Sequence, residues 1–175
     1  MRVNKGLMIA ATFDPTKRTS LITVADMCRK IEENSISLPL YQRDISWTLQ
    51  KCIDLLNYQL WGKAPVSPIS INVINTVDSA VPQVSFIDRE IISTIERGQY
   101  SVVDGQQRLT TNYKAYCNHD DFRNIVLDLG KGEFTEVRDS IRSNQIPVGI
   151  LLNKEDTKLF EYTKAKSALG SADVL

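Results

Sequence analysis

The stretch that decides the fold is Tyr100-Ser101-Val102-Val103-Asp104-Gly105-Gln106-Gln107-Arg108-Leu109-Thr110-Thr111. Its first residues have the period-two character of a strand, and apolar residues from Leu109 to Cys117 recur at helical spacing. Glycine at the switch favours a tight turn, because it lacks Cβ. The sequence therefore predicts a strand ending near Asp104, a turn at Gly105 and a helix from about Gln106 to Cys117.

This arrangement suits an anion, because the start of a helix carries unpaired backbone N–H groups and a partial positive charge. Gly105 allows a phosphate to approach the backbone, and Arg108 offers a planar fork of donors to phosphate oxygens. Asp104 is a candidate ligand for Mg²⁺, and Gln106 or Gln107 is a candidate for orienting an attacking water. The structural alternative is that Asp104 caps the helix, the glutamines are solvated and Arg108 pairs with an acid.

The rest of the chain mixes helices and strands, which predicts an α/β or α+β domain. A capping box at Thr23 and Asp26 opens a helix that ends near Asn34, and Ser46 or Thr48 caps a second helix that Gly62 and Pro65 end. Strands are predicted at 69–73, 100–103, 125–129 and 146–152, with a loop at 75–85. Residues 86–97 are ambiguous: Ile87, Ile91 and Ile95 have helical spacing, whereas the β-branched run favours a hairpin that turns at Arg97-Gly98. Asn153 is the predicted N-cap of a last helix. We expect an arm at 1–20, one domain at 21–165 and a tail at 166–175.

Composition narrows the class of protein. The 175 residues are 42% hydrophobic, enough for a core, and 21 basic residues balance 21 acidic ones. That balance argues against coating nucleic acid by bulk charge and leaves contact with DNA through a local patch open. The spacing of Cys28, Cys52 and Cys117 predicts reduced, at least partly buried thiols on helix faces. No apolar run reaches the roughly 20 residues of a membrane helix, so we expect a cytoplasmic protein without membrane contact.

Two motifs taken together resemble the DUF262 family, the N-terminal domain of GmrSD-type restriction proteins, within the ParB/sulfiredoxin-like superfamily. One motif is Leu38-Pro39-Leu40-Tyr41-Gln42-Arg43-Asp44-Ile45-Ser46-Trp47, and the other runs from Asp104 to Thr111. The resemblance covers roughly residues 20–165. It implies a ParB-like mixed sheet with flanking helices that binds a nucleoside triphosphate with Mg²⁺. Hydrolysis in the family gates cleavage of DNA, often in restriction or phage defence.

Carried over to this chain, the resemblance makes Asp104, Gln106 and Gln107 the hydrolysis residues. It places nucleotide contacts at Gly105, Arg108, Thr110, Gln42, Arg43 and Tyr41. Arg43 and Arg108 are therefore expected to face one pocket. The chain departs from larger family members in two ways: it has a single histidine, His119, too few for an HNH nuclease site, and Phe160 is not followed by the expected Asn.

Three functions remain open on the sequence. The first is an NTPase that gates action on DNA, with DNA, a partner nuclease, another protein or a second copy as partner. The second is a nucleotide- or partner-binding module without turnover, such as a phage-encoded decoy or truncated homologue. The third is a ParB-like nuclease. Trp47 is expected in the core rather than stacked on a base. Cys117, His119, Asp120 and Asp121 lack a zinc-site spacing.

Overall fold

The computed structural model describes residues 21–43, 47–63, 68–78, 80–155 and 157–170, with side chains described as far as residue 166. The described part holds five α-helices, seven strands and one short 3₁₀ helix. In chain order these are α1 (Val24–Glu32), β1 (Ile36–Pro39), α2 (Leu49–Leu60), β2 (Ser70–Val73), β3 (Gln83–Val84), β4 (Tyr100–Asp104), α3 (Gln106–Tyr116), the 3₁₀ helix (Asp120–Phe122), β5 (Ile125–Asp128), β6 (Glu133–Glu136), β7 (Gln145–Pro147), α4 (Val148–Leu151) and α5 (Thr157–Gly170).

The first sheet brings the two sequence motifs together. Its strand order is β2-β4-β1-β3, and the two central strands β1 and β4 run parallel, with Ile36 opposite Tyr100. The outer strands β2 and β3 are antiparallel to their neighbours. Parallel strands end at the same edge of a sheet, and the crevice beyond their carboxyl ends is where open α/β sheets bind ligands. The loop after β1 and the turn after β4 therefore meet at that edge.

Helix α3 joins two hydrophobic cores. Leu109 lies in the first core, with residues of α1 and the four-stranded sheet such as Leu38 and Val102. Ala115 lies in the second core, between α2 and the antiparallel sheet β6-β5-β7. Since α3 is anchored in both cores, its amino-terminal end at Gly105 is held firmly against the sheet.

The structure confirms the mixed α/β class and the elements around the central motif. Strand β4 ends at Asp104 and α3 begins at Gln106. The hydroxyl of Thr23 caps α1, and Thr48 caps α2; Ser46 lies outside the described residues. All three cysteines, each in the described part of the chain, are free thiols: Cys28 and Cys52 are buried and Cys117 is partly buried.

The predicted hairpin at 86–97 is wrong. Both edges of β4 are already paired, with β1 and with β2, so no edge is left for a hairpin partner. Within the described residues 86–97, strand pairing is limited to an isolated bridge between Ile91 and Val84. The loop predicted at 75–85 contains β3, whose two residues complete the sheet beside β1.

The carboxyl-terminal half also differs from prediction. The strand predicted at 146–152 ends at Pro147, whose φ of −57° suits the N-cap of the helix that follows at Val148–Leu151. Strand β6 was missed. Asn153 accepts from the N–H of Glu155 and donates to the carbonyl of Gly149, in a turn ahead of α5.

The domain boundaries stay a prediction. Helix α5 continues to Gly170, beyond the expected boundary at 165, whereas the arm at 1–20 lies outside the described residues. None of the helices in the described part of the chain has the length and apolar character needed to cross a membrane.

Candidate phosphate-binding site

The turn between β4 and α3 is fixed by Gly105. This residue is the N-cap of α3 and has a φ of +94°, a left-handed conformation that favours glycine. A Cβ there would lie 2.9 Å from Cγ1 of Ile69 and 3.2 Å from Nη2 of Arg108. Because Gly105 supplies no side-chain cap, the first turn of α3 keeps the polarity that attracts anions. Asp104 is therefore not the helix cap, contrary to the structural alternative.

Three glutamines lock the two motifs together. Nε2 of Gln42 donates to the carbonyls of Val102 and Val103 at 3.3 and 2.8 Å. In the opposite direction, Nε2 of Gln106 donates to the carbonyl of Arg43 at 3.0 Å. The Oε1 of Gln107 accepts from the backbone N–H of Trp47 at 3.3 Å.

These bonds give the glutamines a structural role that the sequence did not indicate. Gln106 is only 6% exposed, so the alternative of solvated glutamines is wrong for this residue. Each bond joins a side chain of one loop to the backbone of the other, or to the strand end beside it. The loop after β1 and the start of α3 therefore form one unit.

Arg89 also holds the loop after β1 in place, a role that the sequence did not indicate. Its Nη2 donates to the carbonyl of Gln42 at 2.6 Å, with the carbonyl of Leu40 at 3.5 Å. Arg89 belongs to neither motif and lies in an irregular segment, so no sequence pattern linked it to this loop. The contact fixes the backbone just before Arg43.

The two motifs enclose one cavity, which we call the phosphate cavity. Its volume is about 320 Å³, near the lower end of the range of about 300–1,000 Å³ typical of ligand sites. Gln42, Arg43 and Trp47 line it from the first loop, and residues 103–108 line it from the strand end and helix start. Arg43 and Arg108 thus share a cavity, as predicted, although 65 positions separate them.

Two predicted contact residues lie elsewhere. Tyr41 is 67% exposed and does not line the phosphate cavity. Thr110 is 1% exposed, and its Oγ1 has no hydrogen-bond partner among the described residues. Neither side chain touches the cavity in this conformation. Trp47 packs against the second core, as expected, and it also lines the cavity.

Arg108 contacts a carboxylate and a backbone carbonyl close to the cavity through Nη2. Its Nη2 lies 3.8 Å from Oδ2 of Asp104, near the outer limit of an ion pair, and 3.2 Å from the carbonyl of Pro68. The Asp104 side chain is 74% exposed, and an exposed pair of this kind contributes about 0–1 kcal/mol. Pairing of Arg108 with an acid, which was the structural alternative, is therefore present at Asp104.

A divalent ion fits this site only in company with phosphates. No group of three His, Cys, Asp or Glu side chains gathers anywhere in the described ranges. Asp104 is the one carboxylate among the described residues that line the phosphate cavity. Because Mg²⁺ is commonly held by one or two carboxylates together with substrate phosphates, Asp104 suits an ion that arrives with a nucleotide.

The side chains at 117–121 serve other purposes. Lys114 pairs with Asp121, and Arg123 lies 2.6 Å from Asp120. Nδ1 of His119 accepts from the N–H of Asp121 and caps the 3₁₀ helix. Ion pairs and capping thus engage Asp120, Asp121 and His119, and Sγ of Cys117 lies 3.8 Å from the carbonyl of Lys114.

Comparisons with known proteins agree with the paired motifs. A family model described as the GmrSD restriction endonuclease N-terminal domain matches residues 24–171 of the 175, a range that contains both cavity-forming loops. Neither the search of curated proteins nor the search of solved structures returned a match. The family match spans far more than half of the chain, so the chain belongs to the family of GmrSD restriction endonuclease N-terminal domains.

Proposed function

We propose that this domain binds a nucleoside triphosphate by its phosphates in the phosphate cavity and hydrolyses it to gate action on DNA in a restriction system. The observation that carries the proposal is the meeting of Arg43 and Arg108 in one cavity at the carboxyl ends of two parallel strands. The restriction context rests on the family match.

Binding follows from the charges and the backbone of the cavity. A phosphate that enters it meets the amino-terminal end of α3 and two arginines, Arg43 and Arg108, and Asp104 is the one carboxylate that opposes them among the described lining residues. Gly105 lets a phosphate oxygen approach the backbone where a Cβ would otherwise stand. Arg108 exchanges its long contact with Asp104 for a shorter charge-assisted bond.

Hydrolysis requires, in addition to binding, a metal ligand and a group that orients the attacking water. Asp104, which lines the cavity, would hold a Mg²⁺ that enters with the nucleotide, and such an ion would supply neutralisation of the charge that develops during hydrolysis. A glutamine that orients water needs its amide directed at the attacking oxygen. Here the amide of Gln106 is buried against the carbonyl of Arg43, and Oε1 of Gln107 holds Trp47.

That observation favours a second candidate, a module that binds a nucleotide or a partner without turnover. If the glutamines keep their structural bonds when nucleotide is present, the domain retains a phosphate site without a device for activating water. The two candidates share the binding step and differ in the release of phosphate.

The test pairs isothermal titration of a non-hydrolysable triphosphate with phosphate release from each natural NTP. Arg108→Ala should weaken binding about tenfold to a hundredfold, because it removes a charge-assisted contact of roughly 1.5–3 kcal/mol. The matched control is Arg123→Ala, which removes an arginine from a surface ion pair outside the cavity and should leave binding unchanged. Asp104→Ala should spare most binding and abolish phosphate release.

Three outcomes separate the readings. Binding without phosphate release, with or without DNA, selects the non-catalytic module. No binding at millimolar nucleotide refutes the NTPase and the nucleotide-binding module, and leaves a fold that acts only through a protein partner. Nicking of DNA by the isolated chain would select the ParB-like nuclease instead.

A further inference from the structure

A second cavity lies at the other end of α3. Its volume is about 590 Å³, within the range of about 300–1,000 Å³ typical of small-molecule sites. Apolar side chains from four elements line it. They include Cys28 of α1, Leu56 and Leu60 of α2, Phe134 of β6 and Leu151 of α4. No residue lines both this cavity and the phosphate cavity.

The inner wall is held in place by a buried hydrogen-bonded pair. The amide of Asn57, which is 8% exposed, donates to the carbonyl of Phe134 at 2.9 Å and accepts from its N–H at 2.6 Å. These two bonds join α2 to β6, and both elements also line the cavity. The bonds therefore hold these two walls of the cavity together.

One polar side chain in this wall has a hydrogen-bond acceptor that no described residue satisfies. Asn112 of α3 is 8% exposed and lines the cavity. Its Nδ2 donates to the carbonyl of Arg108 at 2.9 Å, whereas its Oδ1 accepts no hydrogen bond from the described residues. Because this oxygen keeps solvent-accessible surface, a donor on a molecule bound in the cavity can reach it and take the place of water.

The charges around the cavity select against an ionic occupant. Arg29 is paired with Asp26 at 2.9 Å, and Lys154 is paired with Glu32. Burial raises the pKa of the Cys28 thiol to about 12, so that this group stays neutral at pH 7. With both cations matched by acids and the thiol uncharged, a charged ligand would lose its hydration without gaining a new counter-ion.

We propose that this cavity binds a small, uncharged, largely apolar molecule that presents an N–H or O–H donor to Oδ1 of Asn112. The volume, the apolar walls and the open acceptor each support that class. The inference is independent of the proposed nucleotide function, because it uses other residues.

Indole is a suitable probe, since it is a neutral apolar bicycle with one N–H, and 1-methylindole is its matched control without that donor. Saturation-transfer NMR and titration on the full chain should show indole binding at a few millimolar or tighter. Loss of one hydrogen bond should weaken 1-methylindole about fivefold. Asn112→Leu, which keeps the branched side-chain shape but removes the acceptor, should bind the two probes equally.

A second variant guards against misfolding of Asn112→Leu. Ala25 lines the cavity on the exposed side of α1, so Ala25→Trp should fill the cavity and abolish indole binding without touching the core. Glu33→Trp adds the same bulk at an exposed position outside the cavity and should leave indole binding intact. No binding of indole up to 10 mM, equal binding of both probes by the parent chain, or undiminished binding by Ala25→Trp would overturn the proposal.

Discussion

Replacing Gly105 with alanine tests whether the turn after β4 needs close approach as well as a left-handed backbone. Gly105 has a φ of +94°, and Gly98 has a φ of +97° in the turn before β4. A Cβ at Gly98 would meet nothing within 4 Å, whereas one at Gly105 would lie 2.9 Å from Ile69 and 3.2 Å from Arg108. The pair therefore separates the cost of the backbone conformation from the cost of the contact.

The magnitudes follow from those two terms. A residue with Cβ in the left-handed region costs about 1–2 kcal/mol, which we expect in both variants. The contact with Ile69 adds about 1–3 kcal/mol in Gly105→Ala, because Ile69 packs against the first core and has little room to move. Gly98→Ala should therefore lower the free energy of unfolding by about 1–2 kcal/mol and Gly105→Ala by about 2–5 kcal/mol.

Urea denaturation followed by circular dichroism measures both values. Thermal melting offers a check, since 1 kcal/mol corresponds to roughly 2–4 °C for a domain of this size. Triphosphate affinity should fall in Gly105→Ala, because Arg108 must give way to the new methyl group, and stay at the parent value in Gly98→Ala. The reasoning is refuted if Gly105→Ala is as stable as Gly98→Ala.

Three further predictions concern the loops, pH and thiols. Gln42→Ala, which frees two carbonyls at the end of β4, should weaken triphosphate binding in calorimetry although the amide carries no charge; unchanged affinity would contradict the locking role. The hydrogen bond from Gln145 holds the pKa of Asp128 below its ordinary value, so its carboxylate stabilises the fold above about pH 4 and that contribution is lost as pH falls through the lowered pKa. Asp128→Asn should therefore lower the urea midpoint at pH 7, with a gap to the parent that narrows at pH 3; a constant gap would argue against it. Mass spectrometry after iodoacetamide treatment at pH 8 should find Cys117 alkylated before Cys28, which is fully buried with a pKa of about 12, and equal rates in the folded protein would be inconsistent with this burial.

The strand, glycine turn and helix at 100–116 were predictable because local physics decides them. The change from period two to helical spacing marks the switch, and Gly105 supplies the one conformation that other residues avoid. The sharing of a cavity by Arg43 and Arg108 came from the family resemblance. Its physical cause is the parallel pairing of β1 with β4, which periodicity alone does not reveal.

The wrong secondary-structure predictions lie where the availability of a neighbouring strand decides whether a segment forms a strand. Residues 86–97 are β-branched enough to form a strand, but β4 has no edge left to receive them. Strand β6 has the sequence Glu-Phe-Thr-Glu, which lacks an apolar run, and it depends on β5 and on the Asn57 bonds to Phe134. Long-range contacts of this kind leave little trace in local sequence.

The roles of the site residues stay a prediction, and the structure adds contacts of these residues that the sequence did not indicate. The sequence suggested that Gln106 and Gln107 act on water, and the structure shows them holding the loop that carries Arg43 and Trp47. Because Gln42 holds the opposite strand end in return, the position of each arginine depends on glutamines of both loops. A glutamine variant that loses both binding and turnover would therefore report a displaced arginine. Loss of turnover at unchanged affinity would indicate a catalytic amide, since only an interaction made in the transition state lowers the rate and spares ground-state binding.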